Sequence, residues 1–195
     1  VMNEVAQVLG GLDIVFANAG IDEVGKVGTG IFEKHRKNIE VNLLAPLALT
    51  YLVLPHMLDQ KQGHIVNIAS MAAKSGGPYA ATYSGAKAGL AEWTRGMRLE
   101  LAGTGVRFST IFPGYITEVG MFARFNLTPP RLVGSCTPGQ VARAVVRAIE
   151  KESLEVIVNS VPLRLDFMLN ELSPALGDWV MRQSGSVVFQ RRKAG

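Results

Sequence analysis

Apolar positions along this chain follow two alternating rhythms. Short, β-branched, nearly continuous apolar runs occupy residues 12–17, 64–69, 106–112 and 154–158. Longer stretches with apolar positions three and four apart fill 32–58, 80–102 and 138–152. The first rhythm predicts strands and the second amphipathic helices. Strands without in–out alternation are those covered on both faces, and strand–helix alternation predicts a parallel sheet between two helical layers. The expected fold class is therefore α/β, a doubly wound parallel sheet. The punctuation agrees, with Gly63 after the first long helix, Pro113-Gly114 after the third strand, and Thr137-Pro138 as N-cap and first helical turn of the last helix.

The two ends read differently. Residues 1–9 already have helical spacing (Val1, Val5, Val8, Leu9) with no cap before them. They suggest either a chain that begins mid-domain or a short N-terminal helix lying on the sheet. Residues 159–195 read as a helical extension of the single domain 1–195. Its apolar positions Leu165, Met168, Leu169, Leu172, Leu176, Trp179 and Val180 suit core or dimer packing, with a face lying on a bilayer as the alternative, and Arg191, Arg192 and Lys193 form a solvated basic tail.

Composition narrows the classes. With 195 residues, 48% of them hydrophobic, there is material for one sizeable core. No uninterrupted run of eighteen apolar residues occurs, which argues against a membrane span. The lone Cys136 allows no internal disulfide, and no basic, then apolar leader opens the chain, so a cytoplasmic setting is expected. Three of the charges behind the net +4 sit in the tail, which leaves no spread basic face for nucleic acid. His35, His56 and His64 have no ligand-spaced partners, so no metal site is expected.

Candidate chemistry clusters where strands end, since ligands of open parallel sheets sit beyond the carboxyl ends of the strands. Asn18, Ser70 and Pro113-Gly114 follow three of the strands. Tyr83 and Lys87 stand four apart on a helix and so share a face. An ammonium beside a phenol favours the phenolate, lowering a pKa near 10 by roughly 1–3 units toward useful acid–base exchange. Ser70, thirteen positions before Tyr83, can hydrogen-bond a carbonyl oxygen as charge develops on it. Asn42, among Val41, Leu43 and Leu44, is a buried amide needing partners. It either bonds neighbouring backbone or marks a helix distortion that frees a carbonyl to hold a water near Lys87.

In order, Asn18-Ala19-Gly20, Val41-Asn42-Leu43, Ser70, Tyr83-Ser84-Gly85-Ala86-Lys87 and Pro113-Gly114 resemble the motifs of the short-chain dehydrogenase/reductase family. The resemblance covers about residues 9–158 and implies a Rossmann-like sheet and a nicotinamide-dependent oxidoreductase that interconverts a carbonyl and a secondary alcohol. It implies Tyr83 as acid and base, with Lys87 tuning Tyr83 and bonding the nicotinamide ribose. Ser70 would polarise the carbonyl, and Asn42 would hold a relay water. Asn18, Ala19 and Gly20 would lie against the adenosine side of NAD or NADP, and Pro113, Gly114 and Ile116 against the carboxamide. It further implies a small apolar substrate and a homodimer or homotetramer formed by the helices that hold Asn42 and Tyr83.

Three departures accompany it, one of them the stretch 161–185 after Val158, which is longer than the family minimum. The family's glycine-rich phosphate loop belongs upstream of Asn18, and no matching segment occurs; the Gly25–Gly30 run is one residue short and follows the wrong strand. The expectation is an N-terminally incomplete domain, with a fold-retaining, non-catalytic binding protein as the alternative. Glu118, preceded by Thr117, stands where the family often has threonine. Met121 to Phe125 lies where a substrate lid would be, either lining a pocket or packing on the core.

Overall fold

Four parallel strands carry the site, in the order β1-β2-β3-β6: β1 (Ile14–Ala17), β2 (Gly63–Ile68), β3 (Val106–Pro113) and β6 (Glu155–Val158). The computed structural model describes residues 8, 10–22, 24–26, 28 and 31–194. The helical reading of residues 1–9 lies outside them, apart from Val8. Every residue of β2 is buried, and its register pairs Ile65 with Phe108 and Ile68 with Ile111. The four strands fall within two residues of their expected limits.

β1 departs from the expectation of a fully buried strand. Val15 and Ala17 are buried, whereas Ile14 and Phe16 are 52% and 46% exposed. Only β2 pairs with it among the described residues, and Phe16 lines the cavity described below.

Residues 32–60 form one continuous helical rod in three parts: α1 (Phe32–Ile39), a π-helical turn (Glu40–Leu44) and α2 (Ala45–Gln60). The widened turn contains Asn42, where the sequence raised a distortion as one of two readings. By length and composition this rod is apolar enough to cross a bilayer. One side of it packs on the sheet: Val53 and Met57 are fully buried with Leu12, Val15, Ile65 and Phe108. The other side leaves Leu44, Tyr51 and Leu52 exposed.

α3 (Ala81–Glu100) packs beside that rod and presents Ala86, Lys87, Leu90, Ala91 and Thr94 to the interior. α4 (Pro138–Glu150) starts in a complete capping box, in which Thr137 accepts from the Gln140 amide and the Gln140 side chain accepts from the Thr137 amide. Its inner residues Val141 and Ala148 join Val66, Ile111 and Val158 in a second core cluster. A two-stranded ladder, β4 (Tyr115–Ile116) with β5 (Ser135–Cys136), stands above the end of β3.

The C-terminal extension folds as α5 (Arg164–Leu172), α6 (Pro174–Gln183) and α7 (Ser186–Lys193). Core packing does not describe α5 and α6. Phe167 is buried, but Leu165, Met168, Leu172 and Trp179 are 58–80% exposed. The basic tail is solvated only in part: Arg191 and Arg192 are exposed, whereas Lys193 is buried. α7 turns back over the domain and buries Phe189, Gln190 and Lys193, because each finds a partner there.

Candidate active site

The strand ends open into a cavity of about 1010 Å³ whose wall includes Asn18, Ala19, Gly20, Ser70, Tyr83, Lys87, Pro113, Gly114 and Ile116. Nine of the ten residues singled out from sequence thus converge on one space. Asn42 is the tenth, and it stands behind the wall.

Ser70 leaves β2 in extended conformation and caps a short 3₁₀ turn (Met71–Ala73), its Oγ accepting from the Ala72 amide at 3.2 Å. That bond fixes the hydroxyl at the strand exit, on the same cavity wall as the phenol of Tyr83. Burial raises the Tyr83 pKa to about 12; the neighbouring Ser70 hydroxyl pulls it down, and the Asp22 carboxylate pushes it up. The lowering expected from Lys87 is therefore not the outcome in this arrangement. Lys87 Nζ instead donates to the Ile68 carbonyl at 2.7 Å, 3% exposed, and burial pushes its own pKa down to about 8. Desolvation outweighs charge stabilisation at both groups.

Asn42 is fully buried and spends its amide on two elements at once. Nδ2 donates to the Asn38 carbonyl at 3.0 Å, to Asn38 Oδ1 at 2.9 Å and to the Ile21 carbonyl at 2.8 Å, while Oδ1 accepts from the Ile21 amide at 3.2 Å. Of the two readings made from sequence, the structure shows both the distorted helix and local backbone bonding. It adds a third link, a pair of bonds that pins the segment after Asn18-Ala19-Gly20. Gly20 is required at this junction: a Cβ there would stand 2.9 Å from Asn42 Oδ1 and 3.6 Å from Lys87 Nζ.

This cradle fits the nicotinamide-ribose half of a dinucleotide. Gly20 lets backbone approach a buried ammonium whose one hydrogen bond among the described residues, to Ile68, leaves two N–H donors to spare. Pro113, Gly114 and Ile116 supply backbone along the same wall. Gly114 is also sterically set, since a Cβ would meet Asn159 Oδ1 at 2.3 Å. Thr117 bonds the Cys136 carbonyl through its amide (3.0 Å) and hydroxyl (3.3 Å) and so holds the β4–β5 ladder; Glu118 takes a left-handed φ of 76°. Of the Gly25–Gly30 run, Val27, Thr29 and Gly30 lie outside the described residues.

Apart from Met121 and Phe122, the rest of the wall was not singled out from sequence as a site. Tyr115 stacks on Phe122 (centroids 4.8 Å apart) and meets Phe189 edge-on at 5.3 Å. Met121 and Phe122 line the cavity while Phe122 is itself buried in this aromatic group, so both readings of that segment hold. Asp22 pairs with Lys193, both nearly buried, and Gln190 Nε2 donates to the Tyr115 hydroxyl at 2.9 Å. Burial and the Asp22 charge raise the Tyr115 phenol far above its ordinary value. Only Asp22's position, two residues past Asn18-Ala19-Gly20, could have flagged this group. Its partner is 171 residues away.

Sequence and fold comparisons agree with this architecture. The family described as short chain dehydrogenase matches residues 1–129. The chain belongs to the short-chain dehydrogenase/reductase family of oxidoreductases. "Ketoacyl reductase HetN" of Nostoc sp. is 38% identical over 198 residues, covering 99% of this chain and 69% of its own length. "Dehydrogenase/reductase SDR family member 7B" of Mus musculus is 29% identical over 180 residues, and the match spans 56% of that protein. A short-chain dehydrogenase from Streptomyces avermitilis has the same fold, with a TM-score of 0.73 at 24% identity over 94% of this chain and 74% of its own.

Proposed function

We propose that the chain carries the catalytic portion of an NAD(P)-dependent oxidoreductase that interconverts a carbonyl and a secondary alcohol. The observation that carries this reading is the convergence of Ser70, Tyr83 and buried Lys87 on the wall of one large cavity. Bound NAD(P) would supply the hydride, held by Lys87, by the Asn18–Gly20 backbone and by the segment from Pro113 to Ile116.

The chain's own groups handle the proton. A substrate oxygen placed between the Ser70 hydroxyl and the Tyr83 phenol receives two hydrogen bonds as it gains negative charge. A phenol whose pKa burial raises to about 12 stays protonated at neutral pH, which is the form that gives the proton in the reduction direction. Lys87 near pH 8 stands as the neighbouring group able to exchange a proton in the physiological range. Asn42 fixes the segment of Gly20 and Ile21 against Lys87, keeping that geometry rigid. Phe122, Val141 and Leu163, among the apolar residues of the cavity wall, suit an apolar substrate body.

The exposed apolar stripe of Leu44, Tyr51 and Leu52 supports self-association through the helices that hold Asn42 and Tyr83. A cytoplasmic setting is part of the same proposal.

The test is spectrophotometric. Carbonyl-dependent oxidation of NADH or NADPH by the full-length protein is expected, and Tyr83→Phe should abolish it without unfolding the chain. Equal rates for wild type and variant would refute the acid–base role. A nicotinamide titration separates this reading from a non-catalytic binding protein.

A further inference from the structure

The last helix, α7, is short, and a helix of that length has little stability of its own. Its place depends on what holds it. Three side chains reach from it to distant segments. Gln190 reaches Tyr115, Arg191 Nε donates to the Tyr79 hydroxyl at 2.9 Å, and Lys193 Nζ reaches the Asp22 carboxylate. The last is the best protected, with side-chain exposures of 5% for Lys193 and 8% for Asp22. A buried ammonium without a counter-charge is costly, and so is a buried carboxylate. Lys193 Nζ also stands 4.9 Å from the Phe125 ring centre and 6.0 Å from that of Tyr115, within reach of cation–π attraction. Arg124 donates to the Asp22 backbone carbonyl. One residue thus gathers the loop after β1, the segment after β4 and the C-terminal helix.

α7 is also part of the cavity: Ser186, Gln190 and Lys193 line it, as Asp22 does. We propose that the Asp22–Lys193 pair fastens α7 as a wall of the substrate cavity, making this helix a specificity-determining element of the reaction proposed above. Ile21, pinned by Asn42, immediately precedes Asp22. The fastening point is therefore a fixed one, and loosening the pair frees the helix and leaves the loop in place. Solvent-exposed Arg192, next in the chain to Lys193, provides a control of equal charge.

Hydrogen exchange of a peptide covering residues 186–194, followed by mass spectrometry, reads the fastening without any need for activity. Lys193→Met and Asp22→Asn should each speed exchange there by roughly tenfold or more. Arg192→Met should match wild type, and the swap Asp22→Lys with Lys193→Asp should restore part of the protection. Wild-type protection in both single variants would overturn the proposal. The specificity claim is read from kcat/KM for 2-decanone against 2-butanone. That ratio should change by roughly tenfold in Lys193→Met, and an unchanged ratio would overturn the specificity role. If wild type reduces neither ketone, the function proposed above falls, and the exchange result alone sustains or overturns the fastening.

Discussion

The two sides of the cavity are built on opposite principles. Ser70, Tyr83 and Lys87 come from the exit of a fully buried central strand and from a twenty-residue helix packed against it. Ser70 is held by the Ala72 amide and Lys87 by the Ile68 carbonyl. The facing surfaces come from two-residue strands, a 3₁₀ turn and three helices of eight to ten residues. Among these, β4 and β5 hold each other by backbone pairing, and α7 is held by side chains that reach Tyr115, Tyr79 and Asp22. In the function proposed above, chemistry that needs reacting groups fixed within a fraction of an ångström would sit on the rigid side. Selection among substrates tolerates adjustment, and in the same proposal it would fall on pieces that can be altered without disturbing the sheet. The largest mutational effects on rate should therefore fall on the first side with little loss of stability, and the reverse should hold on the second.

Tyr83→Phe is the strongest way to break that contrast. Removing the phenolic hydroxyl deletes the proposed acid and leaves the ring in place. A fall in kcat of about 10²–10⁴ is expected, with a melting temperature close to wild type. A variant that unfolds, or one that keeps full rate, would mean that the rigid side does not carry the chemistry as described.

The same contrast decides what could be read from sequence. Strands, helices and the order of the motif residues follow from local periodicity and from where polar residues interrupt it. Ser70, Tyr83 and Lys87 were legible because one strand end and one helix turn suffice to place them. The π turn at Glu40–Leu44 was legible only as an option, since a single buried amide among apolar residues can be satisfied in several ways. Asp22, Tyr115, Gln190 and Lys193 carried no such signal. Nothing local distinguishes Lys193 from the arginines before it, because its burial depends on a carboxylate 171 residues upstream. The expected lowering of the Tyr83 pKa was reversed for a related reason: the four-residue spacing fixed which face the lysine shares, but the depth of burial governs the titration.

That burial predicts a pH signature next in size. Lys87 titrates near 8 when folded, below its ordinary value near 10.5. The unfolded chain therefore binds more protons between those values, and stability rises with pH across that window. The full gain is on the order of 3 kcal/mol. Tyr83 works in the opposite sense: its folded value near 12 exceeds the ordinary 10, so its contribution is whole below pH 10 and is lost between 10 and 12. Urea unfolding should show stability climbing from pH 8 to 10 and falling again between about 10.5 and 12. In Lys87→Met the climb should vanish. A wild-type curve flat from 8 to 10 would show that the ammonium is solvated and that this side is looser than drawn.

Gly114→Ala probes the junction between the two sides. The new Cβ would fall 2.3 Å from Asn159 Oδ1, and Asn159 is tied down by donating Nδ2 to the Val133 and Val161 carbonyls at 2.9 and 3.1 Å. With no free direction to yield, the overpacking should cost about 1–3 kcal/mol and shift the residues around Asn159. Thermal unfolding measures the first, and a crystal structure of the variant the second.

Thr137→Ala should give the smallest effect and the sharpest comparison. α4 faces the cavity with Val141, Ala142 and Val145, yet its start is fixed by two short-range bonds between Thr137 and Gln140. Losing the cap should cost about 1 kcal/mol. Because Val141 and Ala148 are also held in the core with Val66 and Ile111, the helix should stay in place. Stability should then fall slightly while the preference between large and small ketones holds. If that preference moved as far as it does in Lys193→Met, a locally capped, core-anchored helix would be as adjustable as a side-chain-fastened one. The division between the two sides of the cavity would then lose its physical basis.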